Sequence, residues 1–291
     1  MVEALIDLHT HSTASDGTFS PEELVRLAHE KGLKALALTD HDTIAGLSAA
    51  EMEAQRLDLA FVPGVEISVK FEGPGHCHLL GYFIDHHNEA LLETLSHLHE
   101  ARENRNVRMV EKLRSLGIPI SLEELEEMAG GGEIGRPHMA KLLVQKGIVK
   151  DFDEAFEKFL GKGKPAYVPK ARLTAEEAMT VIRKAGGITS LAHPYYLGLS
   201  TEETRAYVAS LKKKGLVAIE AYYTDHDEEY TAFCLQMAKD FGLLVSGGSD
   251  FHGANKPEIE LGRGKGNLAI PYRVYEELYA FWSANRGQPL S

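Results

Sequence analysis

Several features are scarce or missing in this sequence of 291 residues, and each absence excludes a class of protein. Only two cysteines occur, Cys77 and Cys234, so no disulfide framework is expected. No apolar run approaches the roughly 20 residues that a membrane helix requires. The N-terminal segment lacks the basic stretch that precedes the apolar part of a signal peptide. These absences together predict a cytoplasmic protein with reduced thiols and no membrane partner.

Positive charge is also in short supply. The chain has 31 Lys and Arg against 43 Asp and Glu, which gives a formal net charge of −12. This balance argues against a broad basic surface for long nucleic acid. A small phosphorylated substrate is still compatible with it, because bound metal ions can reverse the local sign of the charge.

Short strand-like segments alternate with amphipathic helices over most of the chain. The strand-like segments span residues 4–8, 34–38, 60–69, 76–84, 187–192, 216–222 and 243–247. Ser20 with Glu23 and Thr174 with Glu177 have the spacing of capping boxes at helix starts. Seven strands that alternate with helices predict an α/β protein with a mostly parallel, barrel-like sheet.

The middle of the chain carries only helical signals. Apolar residues between Leu91 and Leu113 have the spacing of a long amphipathic helix, which Gly117 and Pro119 would end. Shorter helices are expected near residues 122–128, 137–146 and 153–160. We therefore predict a helical insertion over residues 89–164 that caps the barrel, with the barrel itself formed by residues 1–88 and 165–291.

Histidines and carboxylates lie at the ends of the strand-like segments. His9 and His11 are two residues apart on an extended chain, so both face the same side and can chelate one ion. The other strand-like segments are followed by, or contain, His41, Glu66, His78, His193, Asp250 and His252. A single residue of this kind is usually a surface residue or a helix cap. Because α/β barrels build active sites at the carboxyl ends of their strands, the repeated placement predicts a polynuclear metal site.

The same motifs resemble the PHP (polymerase and histidinol phosphatase) superfamily. His-x-His after the first strand, Thr-Asp-His-Asp after the second and Ser-Asp-x-His after the last are similar to its signatures. Further segments resemble its TrpH-like branch, which includes 3′,5′-nucleoside bisphosphate phosphatases and short-oligonucleotide 5′→3′ exoribonucleases. These segments are Asp16-Gly17-Thr18, Pro63-Gly64-Val65-Glu66-Ile67-Ser68, His78-Leu79-Leu80-Gly81, Ile134-Gly135-Arg136-Pro137-His138 and Tyr167-Val168-Pro169. The resemblance covers essentially the whole chain and implies a distorted seven-stranded (β/α)7 barrel.

The resemblance also implies a site with three divalent ions. The ligands implied for the first ion are His9, His11, Glu66 and Asp250. Those implied for the second are Glu66, as a bridge, with His78 and His193. Those implied for the third are Asp16, His41 and His252. None of the implied ligands is missing from the sequence.

Two details of this ligand set are less sharply defined. His76 lies in the same alternating register as His78, so either histidine is a possible ligand. We favour His78 because it directly precedes Leu79-Leu80-Gly81, as in the family. The mixed nitrogen and oxygen donors suit manganese best, with iron or zinc as alternatives.

The predicted reaction is hydrolysis of a phosphate ester of a small nucleotide, by attack of a hydroxide that bridges two of the ions. A nucleoside 3′,5′-bisphosphate or a short 5′-phosphorylated oligoribonucleotide is the expected substrate. Asp250 and His193 are the candidates for passing a proton to the leaving group. Arg136 and His138, at the start of a predicted helix, are candidate phosphate-binding residues. Histidinol phosphatase, a metal-dependent amidohydrolase and a non-catalytic scaffold are the alternatives.

Overall fold

The computed structural model describes residues 5–129 and 134–286, and within these ranges seven strands form one sheet in sequence order. The strands are β1 (Ile6–Asp7), β2 (Ala35–Leu38), β3 (Ala60–Val69), β4 (Cys77–Tyr82), β5 (Ile188–Leu191), β6 (Ala218–Tyr223) and β7 (Leu244–Gly248). Each of these strands falls at one of the predicted segments. Residue Ala4, which the first predicted segment included, lies outside the described residues.

The sheet closes on itself because the first strand meets the last. The backbone N–H of Leu8 donates to the carbonyl oxygen of Gly247 (3.2 Å), and the N–H of Asp250 donates to that of His9 (2.9 Å). The buried carboxylate of Asp7 also accepts hydrogen bonds from the backbone N–H (2.9 Å) and the hydroxyl (2.5 Å) of Ser249. The predicted fold class, an α/β protein with a distorted seven-stranded barrel, is confirmed.

The strand β4 departs from the expected parallel arrangement. It runs antiparallel to both β3 and β5, whereas the other neighbouring pairs are parallel. Only residues 70–76 connect β3 to β4, and a parallel crossover needs a dozen residues or more. The reversal places the start of β4, including His78, at the end of the barrel where the parallel strands finish.

The helices lie between and after the strands. They are α1 (Pro21–Glu30), α2 (Leu47–Arg56), α3 (Glu89–Ser115), α4 (Leu122–Ala129), α5 (Arg136–Gln145), α6 (Phe152–Ala155), α7 (Ala175–Lys184), α8 (Thr201–Lys212), α9 (Glu228–Phe241) and α10 (Tyr272–Asn285). Both predicted capping boxes are present, at Ser20 with Glu23 and at Thr174 with Glu177. The helix predicted over 153–160 is α6 followed directly by a π-helix, Phe156–Leu160.

The chain divides into two compact units. The first comprises Met1–Thr94 and Arg172–Ser291, and the second comprises Leu95–Ala171. The core of the first unit includes Ile6, Leu80 and Ile188. The second unit has an apolar core of its own, formed by residues such as Met109, Leu113, Leu125, Met139 and Leu143. The role of residues 89–164 as a cap stays a prediction.

Neither cysteine forms a disulfide, and both are buried. Burial raises the pKa of Cys77 to about 11 and that of Cys234 to about 12, so both remain thiols near neutral pH. Among the described residues, none of the helices combines the length and the apolar character needed to cross a membrane.

Candidate metal centre

The carboxylate of Glu66, fully buried in β3, is at the middle of a cluster of histidines. Its Oε2 atom lies 3.2 Å from Nε2 of His9, 3.3 Å from Nε2 of His11 and 3.0 Å from Nδ1 of His41. The first two histidines follow β1 and the third follows β2. Pairing of β1, β2 and β3 in sequence order therefore brings these three imidazoles to one carboxylate oxygen.

The other oxygen of Glu66 faces a second set of histidines. Its Oε1 atom lies 2.8 Å from Nδ1 of His78 and 2.9 Å from Nε2 of His193. His78 comes from the reversed strand β4, and His193 follows β5. Each oxygen of one carboxylate therefore serves a different group of imidazoles, which is the arrangement that a ligand bridging two ions requires.

Asp250 completes the group around His9 and His11. Its Oδ1 atom lies 3.2 Å from Nε2 of His11 and 3.6 Å from Nε2 of His9. Its Oδ2 atom accepts hydrogen bonds from the hydroxyl of Tyr223 (2.8 Å) and from Nζ of Lys256 (2.6 Å). These two donors fix the carboxylate so that Oδ1 remains turned toward the histidines.

A third group of donors surrounds Asp16. Its Oδ1 atom lies 3.2 Å from Nε2 of His252 and 3.8 Å from Nδ1 of His11, and its Oδ2 atom lies 3.9 Å from Nε2 of His41. Although burial acts to raise the pKa of Asp16, the hydrogen bond from His252 and the nearby His41 and His11 hold it well below its usual value. The carboxylate is therefore ionised, as a metal ligand must be.

The loop that carries Asp16 is positioned by Asp40. Oδ1 of Asp40 accepts hydrogen bonds from the backbone N–H of Ser12 (2.7 Å) and the hydroxyl of Ser15 (2.6 Å). Gly17 lies so close to the carbonyl of His11 that a Cβ atom there would collide with it. The glycine that follows Asp16 is therefore required sterically, since only glycine permits this close approach.

All nine predicted ligands lie in this region, together with His76. The groups whose ligand atoms lie within 4.8 Å of one another are His9, His11, Glu66 and Asp250; His11, Asp16, His41 and His252; His41, Glu66 and His78; and His76, His78 and His193. The ring of His76 is 5.0 Å from that of His78 and 5.6 Å from that of His193. The preference for His78 over His76 as a ligand stays a prediction, because both lie at the site.

Divalent ions fit this site because several buried donor atoms have no other partner. Among the described residues, the buried atoms without a hydrogen-bond partner include Nε2 of His9, both ring nitrogens of His11, Nδ1 of His41, Oε2 of Glu66 and Nδ1 of His193. Buried polar atoms are rarely left unsatisfied in proteins, and an ion among these would satisfy them. The donors are nitrogen and oxygen without sulfur, which suits manganese, iron or zinc.

The same carboxylates influence the protonation of the histidines. Burial acts to lower the pKa of His9, but the carboxylates of Glu220, Glu66 and Asp250 raise it well above its usual value. Against the same effect of burial, the adjacent carboxylates of Asp250 and Glu66 raise the pKa of His11 to about 9. Because imidazole binds a metal ion in its neutral form, metal binding has to displace these protons.

Glu220, on β6, contacts the centre and was not among the predicted site residues. It is fully buried, and its Oε1 atom accepts a hydrogen bond from Nδ1 of His9 (3.0 Å). Its Oε2 atom accepts one from the backbone N–H of His193 (2.6 Å). A carboxylate in the middle of the apolar segment 216–222 is the sequence signal that could have identified it.

We expect Glu220→Gln to weaken metal binding by about 10- to 100-fold, which is the usual loss when the hydrogen-bond partner of a metal-ligating histidine is changed. The amide can accept only one of the two hydrogen bonds, so either His9 or His193 loses its support. Competition with a chromophoric chelator measures the affinity. Glu276→Gln, an exposed residue of α10, is the control. Equal affinities in the two variants would contradict the role of Glu220.

Two of the predicted ligands have unusual backbone conformations. His193 has φ +26° and Asp250 has φ +58°, in the region that residues other than glycine rarely adopt. Such conformations cost about 1–3 kcal/mol each and are concentrated at functional sites. His193 follows β5 and Asp250 follows β7, so the chain turns sharply where each ligand is presented.

The predicted phosphate-binding residues Arg136 and His138 lie in the second compact unit. Nη1 of Arg136 donates to the carbonyl of Leu160 (3.4 Å), and the guanidinium lies 5.4 Å from the ring centre of Phe156. Nδ1 of His138 accepts a hydrogen bond from the backbone N–H of Gly135 (3.1 Å) at the start of α5. Both residues have structural contacts within this unit, and their role in substrate binding stays a prediction.

Comparison with known families shows which family the chain belongs to. The model of the PHP domain matches residues 7–168, which is more than half of the chain. The chain belongs to the PHP domain family. The matched range includes the first five predicted ligands and His78, whereas His193, Asp250 and His252 follow it. The relatives and solved structures of this family are therefore the relevant comparison for the chain.

Two curated relatives and one solved structure match nearly the whole chain. The 5′-3′ exoribonuclease Rnm of Escherichia coli (strain K12) is 38% identical, over 96% of this chain and 94% of that protein. The 3′,5′-nucleoside bisphosphate phosphatase of Chromobacterium violaceum is 34% identical, over 95% of this chain and 97% of that protein. A predicted metal-dependent phosphoesterase from Bifidobacterium adolescentis has a TM-score of 0.77 and 30% identity, with 94% of this chain and 95% of that chain covered. The resemblance inferred from the motifs is confirmed.

Proposed function

We propose that this PHP protein is a metal-dependent phosphoesterase that hydrolyses a phosphate ester of a small nucleotide. The substrates we favour are a nucleoside 3′,5′-bisphosphate and a short 5′-phosphorylated oligoribonucleotide. The assignment to the phosphoesterases is supported by the similarity to a 5′-3′ exoribonuclease and a 3′,5′-nucleoside bisphosphate phosphatase.

The observation that carries the proposal is the division of the Glu66 oxygens between two sets of histidines. Oε2 lies within 3.3 Å of the imidazoles of His9 and His11, and Oε1 lies within 2.9 Å of those of His78 and His193. A carboxylate placed in this way suits a centre with at least two adjacent ions. Such centres are typical of enzymes that act on phosphate esters.

We assign three divalent ions to the centre, most suitably manganese. Their charge of about +6 would exceed the charge of the carboxylates of Asp16, Glu66 and Asp250, which leaves about three positive charges to attract a phosphate. Bound ions of this kind neutralise phosphate oxygens and activate water near neutral pH. A protein with a net charge of −12 can in this way bind an anion at one place.

The residues around the centre have distinct parts in the proposed reaction. Tyr223 and Lys256 hold Asp250 in its orientation, and Glu220 holds His9. As the phosphorus–oxygen bond breaks, the leaving oxygen requires a proton. We assign that transfer to His193 or Asp250, which are the predicted catalytic residues at the ends of β5 and β7.

The test is phosphate release from adenosine 3′,5′-bisphosphate by chelated protein that is reconstituted with manganese. We expect manganese-dependent release by the wild type and almost none by Asp250→Ala, because that change removes a predicted ligand. Asp153→Ala, which alters an exposed carboxylate, is the control and should retain full activity. Elemental analysis of each sample gives the number of bound ions.

Two other outcomes would redirect the proposal. Bound metal without phosphate release would leave the centre in place and exclude this substrate, and short 5′-phosphorylated RNA, histidinol phosphate and an amide substrate would then be compared. Release that is unaffected by chelation would contradict a metal-dependent reaction. Wild-type activity in Asp250→Ala would exclude Asp250 from the centre.

A further inference from the structure

A pocket beside the metal centre has no role in the function proposed so far. It lies between the first turns of α8 and α9 and has a volume of about 560 Å³. These helices follow β5 and β6, so the pocket is at the carboxyl ends of parallel strands, where barrel enzymes bind their substrates. The volume is within the range of small-molecule sites.

Aromatic rings form one side of the pocket. Tyr195 is 51% exposed, and its ring meets that of Tyr230 edge-on, with 5.5 Å between the ring centres. The ring of Phe233 continues this side, 5.5 Å from that of Tyr230. An exposed tyrosine ring that borders a pocket offers a face on which a flat, unsaturated ligand can stack.

A buried histidine lies against the same rings. The ring centre of His226 is 4.7 Å from that of Tyr230 and 6.4 Å from that of Tyr195. Its Nδ1 donates to the carbonyl of Ala221 (2.9 Å), so Nε2 is the acceptor nitrogen, and among the described residues Nε2 has no hydrogen-bond partner. His226 is not among the residues that line the pocket, so it packs against the ring of Tyr230 as part of the supporting structure.

The charges around the pocket disfavour phosphate. Its lining contains four carboxylates and one guanidinium, Glu202, Asp225, Asp227, Glu229 and Arg205, which leaves three negative charges. The guanidinium of Arg205 is paired with a carboxylate outside the lining, 2.7 Å away. The pocket therefore disfavours an anion and suits a group that donates N–H hydrogen bonds to the carboxylates.

Two of these carboxylates are available for a ligand. Asp225 already accepts from the hydroxyl of Tyr196 (2.6 Å) and from Nζ of Lys265 (2.5 Å), and Asp227 caps the start of α9. Glu202 and Glu229 are exposed. They are the acceptors that remain for the N–H groups of a ligand.

Tyr196 separates this pocket from the metal centre. Its hydroxyl bonds to Asp225 of the pocket, and its ring stacks on that of His76 at 5.1 Å. The same ring lies 5.5 Å from that of His193. A single side chain therefore contacts both a residue of the pocket and histidines of the metal centre.

We propose that this pocket binds the nucleobase of the substrate, which stacks on Tyr195 and donates N–H hydrogen bonds to Glu202 or Glu229. The inference rests on the proposed function, since it assigns the other end of the same substrate. The negative pocket disfavours the phosphate end of the substrate, so the nucleotide is oriented with its base in the pocket and its phosphate toward the metal centre. A base of any identity can stack in this way, so the subsite selects nucleotides over other phosphate esters.

The test compares Tyr195→Ala with Tyr279→Ala, a 45% exposed tyrosine of α10 that is not part of the pocket lining. Binding of adenosine to the metal-free protein is measured by calorimetry. We expect Tyr195→Ala to weaken it by about tenfold, a loss typical of one aromatic stacking partner. The KM for adenosine 3′,5′-bisphosphate should rise by a similar factor with little change in kcat, whereas the KM for base-free ribose 3,5-bisphosphate should not change.

The adenosine measurement distinguishes this inference from the proposed function. Weaker adenosine binding by Tyr195→Ala supports the base subsite even if the wild type hydrolyses neither bisphosphate, a result that would count against the proposed function alone. Equal adenosine affinity in the wild type and in both variants overturns the subsite. No binding of adenosine to the wild type at millimolar concentration also overturns it, whatever the protein hydrolyses.

Discussion

Glu66→Gln is expected to lower kcat/KM by about 1,000-fold and to reduce the metal content of the purified protein. The amide keeps the shape of the side chain but replaces one oxygen ligand with an NH2 group and removes the negative charge. One of the two histidine sets therefore loses its shared ligand. A loss of about 4 kcal/mol of metal-derived stabilisation of the transition state corresponds to this factor.

Glu53→Gln is the matched control for this change. Glu53 is also buried, but its carboxylate contacts Arg26 (3.2 Å) and Arg56 (2.8 Å) on α1 and α2 and not the histidines. We expect it to keep the activity and metal content of the wild type. Steady-state kinetics and elemental analysis are measured on both variants. Full activity in Glu66→Gln would show that this carboxylate is not a shared ligand.

Gly248→Ala is expected to lower the melting temperature by roughly 6–12 °C and to abolish metal binding. A Cβ atom at Gly248 would collide with Cβ and the backbone nitrogen of His9, so β7 would have to move away from β1. Overpacking of this kind costs about 3 kcal/mol, which gives the stated shift for a domain of this size. His9 and Asp250 would be displaced together, because both are next to the collision.

Gly135→Ala is the control for the glycine substitution. Gly135 has an extended backbone with φ −139°, and an added Cβ atom would meet only Cδ of Pro137 within 4 Å, at 3.4 Å. Differential scanning calorimetry should give a melting temperature near that of the wild type for this variant. If Gly248→Ala melted at the same temperature as the control, the contact between the first and last strands would be looser than the structure indicates.

Much of the fold could be predicted because local patterns coincide with the tertiary structure. Ser20 with Glu23 marks a helix start by itself, since the capping box needs no distant partner. Short apolar segments with flanking turns mark the strands in the same way. The candidate ligands followed from one rule about barrels, that strand ends meet on one face, together with the family resemblance.

Features that depend on contacts between distant segments were not predicted. Glu220 supports His9 and His193 across three strands, and no local pattern links the three residues. The hydrogen bond of Lys256 to Asp250 depends on the path of the loop after β7. The direction of β4 is a different case, because the length of the connection before Cys77 could have predicted the reversal.

The pairing of the first strand with the last also determines when the centre can form in a growing chain. Asp7 contacts Ser249, a partner 242 residues further along the sequence. At about 5–20 residues per second, a ribosome needs roughly 10–50 seconds to synthesise that interval. His9 and His11 therefore leave the ribosome long before Asp250 and His252. The full set of predicted ligands exists only after Asp250 and His252 have been synthesised, so we expect metal insertion to be completed after that point.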